Sequence, residues 1–234
     1  MTRILLCLFL FSLTLSAQNT KISLRTLCFR HAHDVKEIFP ATGSTKKTTY
    51  SKTRLYTSAY SDPVPLTVSG NSLKVALPVK VSKKHPDGYR IFATKTIGPG
   101  KRQLAIFIPT TNPKKPYRLT IIDEGEKNFP MGSTLIYNLS NTDLRMTIGE
   151  HRKEIKPLKQ TKIPIPKKIN ALNQATIRTY VKNTEGKWLI VSSTVWKTSK
   201  KLRGLAIAYI HPLSKKTVVD CFQETPPWRL PKIE

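Results

Sequence analysis

The chain has 234 residues, with 40 Lys and Arg against 14 Asp and Glu, giving a formal net charge of +26. An excess of that size creates a long-range field that favours anionic partners, without fixing a fold. Hydrophobic residues make up 39% of the chain, so a sizeable core needs no obligatory disulfide at this length.

Residues 1–17 read as a secretory signal peptide. Arg3 gives a basic start, Ile4 to Phe11 are apolar, and Ser16-Ala17 offers a small-residue cleavage site. The apolar run is too short for a permanent span, and the mature chain has no other stretch long enough to be one. The expected destination is therefore secreted or periplasmic. Residues 18–52 read as a flexible N-terminal segment, because Ala41 to Thr49 is small, polar and basic with no apolar period. Within it, Ile22 to Phe29 carries enough apolar residues to dock as a strand or short helix.

From Leu55 onward short β-type runs alternate with turn residues. Leu73, Val75, Leu77, Val79 and Val81 keep a two-residue period, and Pro78 predicts that this strand lies at an edge or is bulged there. Further strands are predicted at 89–96, 103–108, 117–122, 134–139, 144–148, 163–165, 175–182, 188–196, 205–210 and 217–222. The set predicts an all-β protein, an antiparallel β-sandwich of immunoglobulin-like or jelly-roll-like type across 53–223. One large sandwich and two small tandem ones both fit, with a break near 124–131 as the point of subdivision. Residues 224–234 read as a C-terminal tail, and no exact internal repeat stands out.

Three passages carry a resemblance. Tyr117 to Asp123 leads through Phe129, Pro130, Met131, Gly132 and Ser133 into Leu135 to Ser140; Ile155 to Leu158 matches a leucine–proline–glycine turn that lacks its glycine; Trp188 to Trp196 precedes Arg203, Gly204 and Leu205. From about Leu55 to Asp220 the chain thereby resembles a group of uncharacterised secreted bacterial β-sandwich-like proteins. The resemblance implies a secreted β fold and supplies no activity or cofactor.

Candidate chemistry is sparse. Cys28, His31, His33 and Asp34 have metal-ligand side chains, but a zinc site would need better-defined spacing. Cys28 and Cys221 are the mature cysteines, and an oxidising compartment would let them bridge the chain ends. His85, His151 and His211 sit among turns without a paired nucleophile. Ser44 to Lys47 has a Ser-x-x-Lys spacing without its partner motifs, and Gly100-Lys101 lacks the remainder of a phosphate loop. Asp123, Glu124 and Glu126 fit a solvated turn better than a calcium loop. Trp188 and Trp196, eight residues apart, should share one face of a regular strand, more naturally buried than open.

Basic pairs carry the strongest signal: Lys83-Lys84, Lys101-Arg102, Lys114-Lys115, Arg152-Lys153, Lys167-Lys168, Lys200-Lys201 and Lys215-Lys216 fall mostly at turns or strand ends. Convergence at one end of a sandwich would bind acidic polysaccharide, lipopolysaccharide or extracellular nucleic acid, weakening as salt rises. The leading expectation is a non-enzymatic exported protein of the cell envelope, binding or scaffolding, with no cofactor. The alternatives are a polyanion-binding module working through the loop lysines and a hydrolase whose residues meet only in space. The expected partners are anionic polymers or another envelope protein.

Overall fold

A computed structural model describes residues 19–43, 47–57 and 59–230; the expected signal peptide and Ser44 of the Ser-x-x-Lys spacing lie outside the described residues. The first half holds β1 (Asn19–Cys28), β2 (Glu37–Gly43), β3 (Thr48–Tyr50), β4 (Thr53–Arg54), β5 (Val64–Ser69), β6 (Ser72–Pro78), β7 (Tyr89–Thr96), β8 (Arg102–Pro109) and β9 (Tyr117–Asp123). The second half holds β10 (Thr134–Asn138), β11 (Leu144–Ile148), β12 (His151–Ile155), β13 (Gln160–Ile163), β14 (Gln174–Lys182), β15 (Trp188–Lys197), β16 (Arg203–Ile210) and β17 (Thr217–Glu224). A single 3-10 turn follows at Pro227–Arg229.

These strands form four sheets, mostly antiparallel. The first sandwich pairs an outer sheet, β3-β2-β6-β7 with β4 on β2, with an inner sheet, β5-β1-β8-β9. The second pairs an inner sheet, β13-β10-β16-β17, with an outer sheet, β12-β11-β14-β15. The two halves share one topology. In each inner sheet the first strand runs parallel to a later one, β1 beside β8 and β10 beside β16.

The sequence repeats with the topology. Arg102-Gln103-Leu104-Ala105-Ile106 opens β8 and Arg203-Gly204-Leu205-Ala206-Ile207 opens β16. Side chains alternate along a strand, so each motif feeds two cores. Ala105 joins the first sandwich core with Leu24, Leu73, Val75 and Phe107. Ala206 joins the second with Ile136, Met146, Ile148 and Ile177. Leu104, Ile106, Leu205 and Ile207 turn the other way and meet, with Leu27, Phe129, Leu135 and Tyr209, in a third core between the two inner sheets. The order is therefore outer, inner, inner, outer, and β8 and β16 are buried on both faces.

The differing middle residue of the motif has a packing reason. Gln103 is buried, accepts from the Gly98 amide and donates to the Gly100 carbonyl. At Gly204 a Cβ would come within 3.2 Å of the Trp196 ring and 2.9 Å of the Thr134 hydroxyl. The Trp196 ring occupies that space.

Four expectations need correction. Residues 19–43 and 47–50 are not a flexible extension: β1 lies between β5 and β8, and Leu24, Leu27 and Cys28 have no exposed surface. The strand containing Pro78 is internal, between β2 and β7; its ladder shifts register at Val75/Ala76, and Pro78 only ends it. Residues 224–230 do not trail free, since Pro226 is buried and Trp228 packs against three arginines. Cys28 and Cys221 are both free thiols. Cys28 points into the first core, whereas Cys221 pairs with Ala206, which faces the second, so both inner sheets separate them.

Leu205→Ala empties part of the shared middle core, and denaturant titration should show a loss of about 2–5 kcal/mol. The exposed Leu213→Ala should change stability by no more than about 0.5 kcal/mol.

Candidate functional site

Where the inner sheets begin, two arginines and two glutamates meet out of solvent. Arg25 on β1 donates to Glu124 at 3.1 Å and to both carboxylate oxygens of Glu224. Arg203 on β16 donates to Glu124 and Glu224, and its Nη1 reaches the Glu124 carbonyl at 3.3 Å. Equal numbers of opposite charges make burial tolerable, because each guanidinium fork satisfies carboxylate lone pairs that water would otherwise take. Arg25 also lies 4.5 Å from the Tyr60 ring, and Arg203 4.3 Å from that of Phe129. Trp228 closes the group, 4.5 Å from Arg102 and 5.0 Å from Arg203. Burial pushes the Glu124 carboxyl above its ordinary range against the pull of Arg25 and Arg203. Although burial alone would lower it, Arg25 is held above its usual value by its bond to Glu224 and by both carboxylates. The quartet joins β1, the segment after β9, β16 and β17, so it clamps one sandwich to the other.

The outer face of the second sandwich has a different character. Among its four strands Glu154 is the one acidic residue, against Arg145, Arg152, Lys153, Arg178, Lys182 and Lys197. Register fixes the rows: Glu154, Arg145, Tyr180 and Ile190 lie side by side, and so do Arg152, Thr147, Arg178 and Ser193. Leu144, Met146 and Ile148 fill the core, so their alternates Arg145 and Thr147 look outward. Arg145 pairs with Glu154 at 2.7 Å and stacks 3.8 Å from the Trp188 ring centre. Arg178 is exposed and makes no ion pair among the described residues.

The tryptophans do not share a face. Between Thr179/Ser192 and Tyr180/Ile190 the ladder skips Val191, and the extra residue reverses the alternation. Trp196 therefore packs on the second core while Trp188 joins the outer row. In the first sandwich the same bulge skips Phe92, and Tyr89 occupies the place of Trp188. There Tyr50 and Phe39 cover the ring, at 4.1 Å and 5.2 Å. The Trp188 face keeps its cationic neighbours instead.

The metal-type cluster is not assembled. The strand ends at Cys28, and His33 and Asp34 adopt positive φ in a turn. His31 Nε2 bonds the Leu55 carbonyl and His33 Nε2 the Thr110 carbonyl, while the Cys28 thiol contacts the Arg30 carbonyl. Among the described residues no group of three His, Cys, Asp or Glu is placed to hold a metal.

The acidic turn is not uniformly solvated: Glu124 is buried, Asp123 accepts from the amides of Gly100 and Gly125, and Glu126 pairs with Arg229. His211 Nδ1 accepts from the Ser214 amide. His151 lies 3.2 Å from Glu150, whose oxygens hold the amides of Lys167 and Lys168.

The basic pairs divide between the two ends. Lys101-Arg102 and Lys200-Lys201 lead into β8 and β16, whose starts meet at Trp228. Lys167-Lys168 follows Pro166, which shares a hollow with Thr198 and Ser199, and Arg152-Lys153 opens β12 beside Glu150. Lys83-Lys84, Lys114-Lys115 and Lys215-Lys216 occupy loops at the opposite end, after β6, β8 and β16. Arg102 is drawn against Trp228 instead of reaching solvent freely. The paired register thus singles out Arg145 and Arg178, isolated basic residues in the sequence, and splits the doublets.

Among the described residues no helix is long and apolar enough to cross a membrane. No family model and no curated protein matches the chain. Among solved structures, the chain is similar to a candidate cell adhesion protein from Bacteroides uniformis, at 13% identity over 88% of this chain and 97% of the other, with a TM-score of 0.24. It is also similar to a leucine-rich repeat protein from Bacteroides thetaiotaomicron, at 9% identity over 81% of this chain and 26% of that one, with a TM-score of 0.19.

Glu124→Gln leaves the buried guanidinium charges unbalanced and should cost about 3–5 kcal/mol in denaturant titration. Glu150 acts at the surface: its bonds to the Lys167 and Lys168 amides hold its carboxyl down at about 2 from an ordinary 4.5. A depressed carboxyl stabilises above the unfolded value, and that contribution is lost as pH falls from about 4.5 toward about 2. Glu150→Gln should therefore flatten the pH dependence of melting temperature in that window and leave it unchanged above.

Proposed function

We propose that the chain is an exported, non-catalytic binding module of the cell envelope, and that the outer sheet of its second sandwich holds an acidic polysaccharide. The observation that carries this reading is the row structure of that face, where Arg145, Arg152 and Arg178 flank Trp188 and Tyr180 with Glu154 as their single opposing charge. Guanidinium forks suit carboxylate and sulfate groups, and aromatic faces suit the apolar side of a sugar ring. The net charge of +26 supports it further by raising the local concentration of any polyanion. Export rests on the basic start, apolar run and small-residue stop of residues 1–17. The end doublets then act as a diffuse attractive field around the specific face.

Heparin affinity measured over a salt series tests the assignment. Arg178→Glu should weaken binding about tenfold and lower the salt slope by about one, as the loss of a direct anion contact does. The double change Lys215→Gln with Lys216→Gln should weaken it by less than about threefold, since those residues contribute screened, long-range attraction. Unchanged affinity in Arg178→Glu, with strong loss in the loop variant, would transfer the site to the loops. A single-stranded nucleic acid that outcompetes heparin would change the ligand class.

A further inference from the structure

An edge strand leaves one row of backbone N–H and C=O groups without sheet partners, and folded proteins commonly blunt such rows with charge, proline or brevity. Most edges of this molecule follow that rule. β3 has three residues, β5 contains Pro65, β7 contains Arg90 and Lys95, β9 contains Arg118, β12 contains Arg152 and Lys153, β13 contains Lys162, and β17 contains Asp220. β15 departs from it. It is ten residues long, outermost in its sheet, and free of both charge and proline from Trp188 to Trp196. Leu189, Ile190, Val191 and Val195 stand 50%, 62%, 40% and 51% exposed along it.

From this we infer that β15 is a docking edge for an extended segment of another protein, which adds to the outer sheet as a fifth strand. The flanking charges specify the segment. Lys187 and Lys197 bracket the apolar run, and Lys182 pairs with Trp188 on the neighbouring strand. The partner strand therefore has an apolar, β-branched centre with acidic residues on both sides.

A second copy of this chain fits poorly. Antiparallel pairing about Ser192 would set Trp188 opposite Trp196, but it would also set Lys187 opposite Lys197 and bring together two chains of formal charge +26. The bulge at Val191 and the bond from Gln223 Nε2 to the Lys197 carbonyl leave Ser192 to Trp196 as the longer regular open run, so the incoming backbone registers there and its side chains lie beside Val195. Main-chain bonds supply affinity in this mode and alternate side chains supply selectivity. The edge is distinct from the polysaccharide face, because it uses the backbone of β15 and not the arginine rows.

The probe is a synthetic peptide of alternating valine and threonine with paired aspartates at each end, compared with the same peptide carrying a central proline. Binding is read by fluorescence anisotropy, and backbone protection by amide hydrogen exchange. The first peptide should slow exchange within 188–197 and bind at least about tenfold more tightly than the proline form, which cannot complete the ladder. Val195→Lys, at a half-exposed position outside the core, should abolish the difference while leaving heparin binding intact or stronger. Failure of the edge is thereby distinguishable from failure of the polysaccharide face. Equal binding of the two peptides, or no added protection in β15, would overturn the inference. Protection that grows with protein concentration alone would assign the edge to a second copy.

Discussion

Two inner sheets each have two apolar faces, and neither sandwich alone can cover the second one. That constraint organises the molecule. Leu104, Ile106, Leu205 and Ile207 would lie bare if the halves separated, along with Leu27, Phe129 and Leu135. Pressing the inner sheets together removes this surface from water, each fully buried side chain contributing roughly 1.5–3 kcal/mol before entropy is counted. The cost falls at the rim, where Arg25 and Arg203 leave water, and Glu124 and Glu224 offset it with matched charge. A buried quartet of this kind adds less to stability than to alignment: an apolar contact tolerates sliding, whereas forked hydrogen bonds from both halves fix where the two sandwiches sit.

Most strands were legible because their signal, a short apolar run or an alternation, is local. The run from Gln103 to Ile108 and the alternating segment 72–78 announce themselves without knowledge of their neighbours. β1 was legible only in part: Ile22 to Phe29 carries enough apolar residues to dock as a strand or short helix, but its central place in the inner sheet is not marked. Its apolar residues are interrupted by Arg25 and Thr26, and a charged residue there signals solvent unless its partners are known. Those partners are Glu124 and Glu224, distant in sequence and brought close only by the packing of the two halves. Trp228 was misread for the same reason, since a short proline-flanked end gives no sign that three arginines await it.

The candidate surface was hidden by phase and by spacing. One inserted residue at Val191 exchanges the faces of everything beyond it, so the two tryptophans part although eight positions separate them. Arg145 and Arg178 are solitary in the sequence, whereas the doublets are conspicuous, yet pairing brings the solitary residues into adjacent rows and sends the doublets to opposite ends. The repeated motif of β8 and β16 was visible in principle. Its significance emerges once both copies are seen to split their side chains between a private core and the shared one.

With the inner sheets committed to each other, the outer sheets and their edges are what the molecule offers to partners. In the first sandwich the outer aromatic group is closed upon itself by Tyr50, Tyr89 and Phe39. In the second, Trp188 lies among cations and β15 lies open.

Native-state hydrogen exchange measures that alignment most directly. Amides of β1 and β8 and those of β10 and β16 should open with one common free energy, equal to that of global unfolding. Two separate plateaus, with one half exchanging while the other stays protected, would contradict the account.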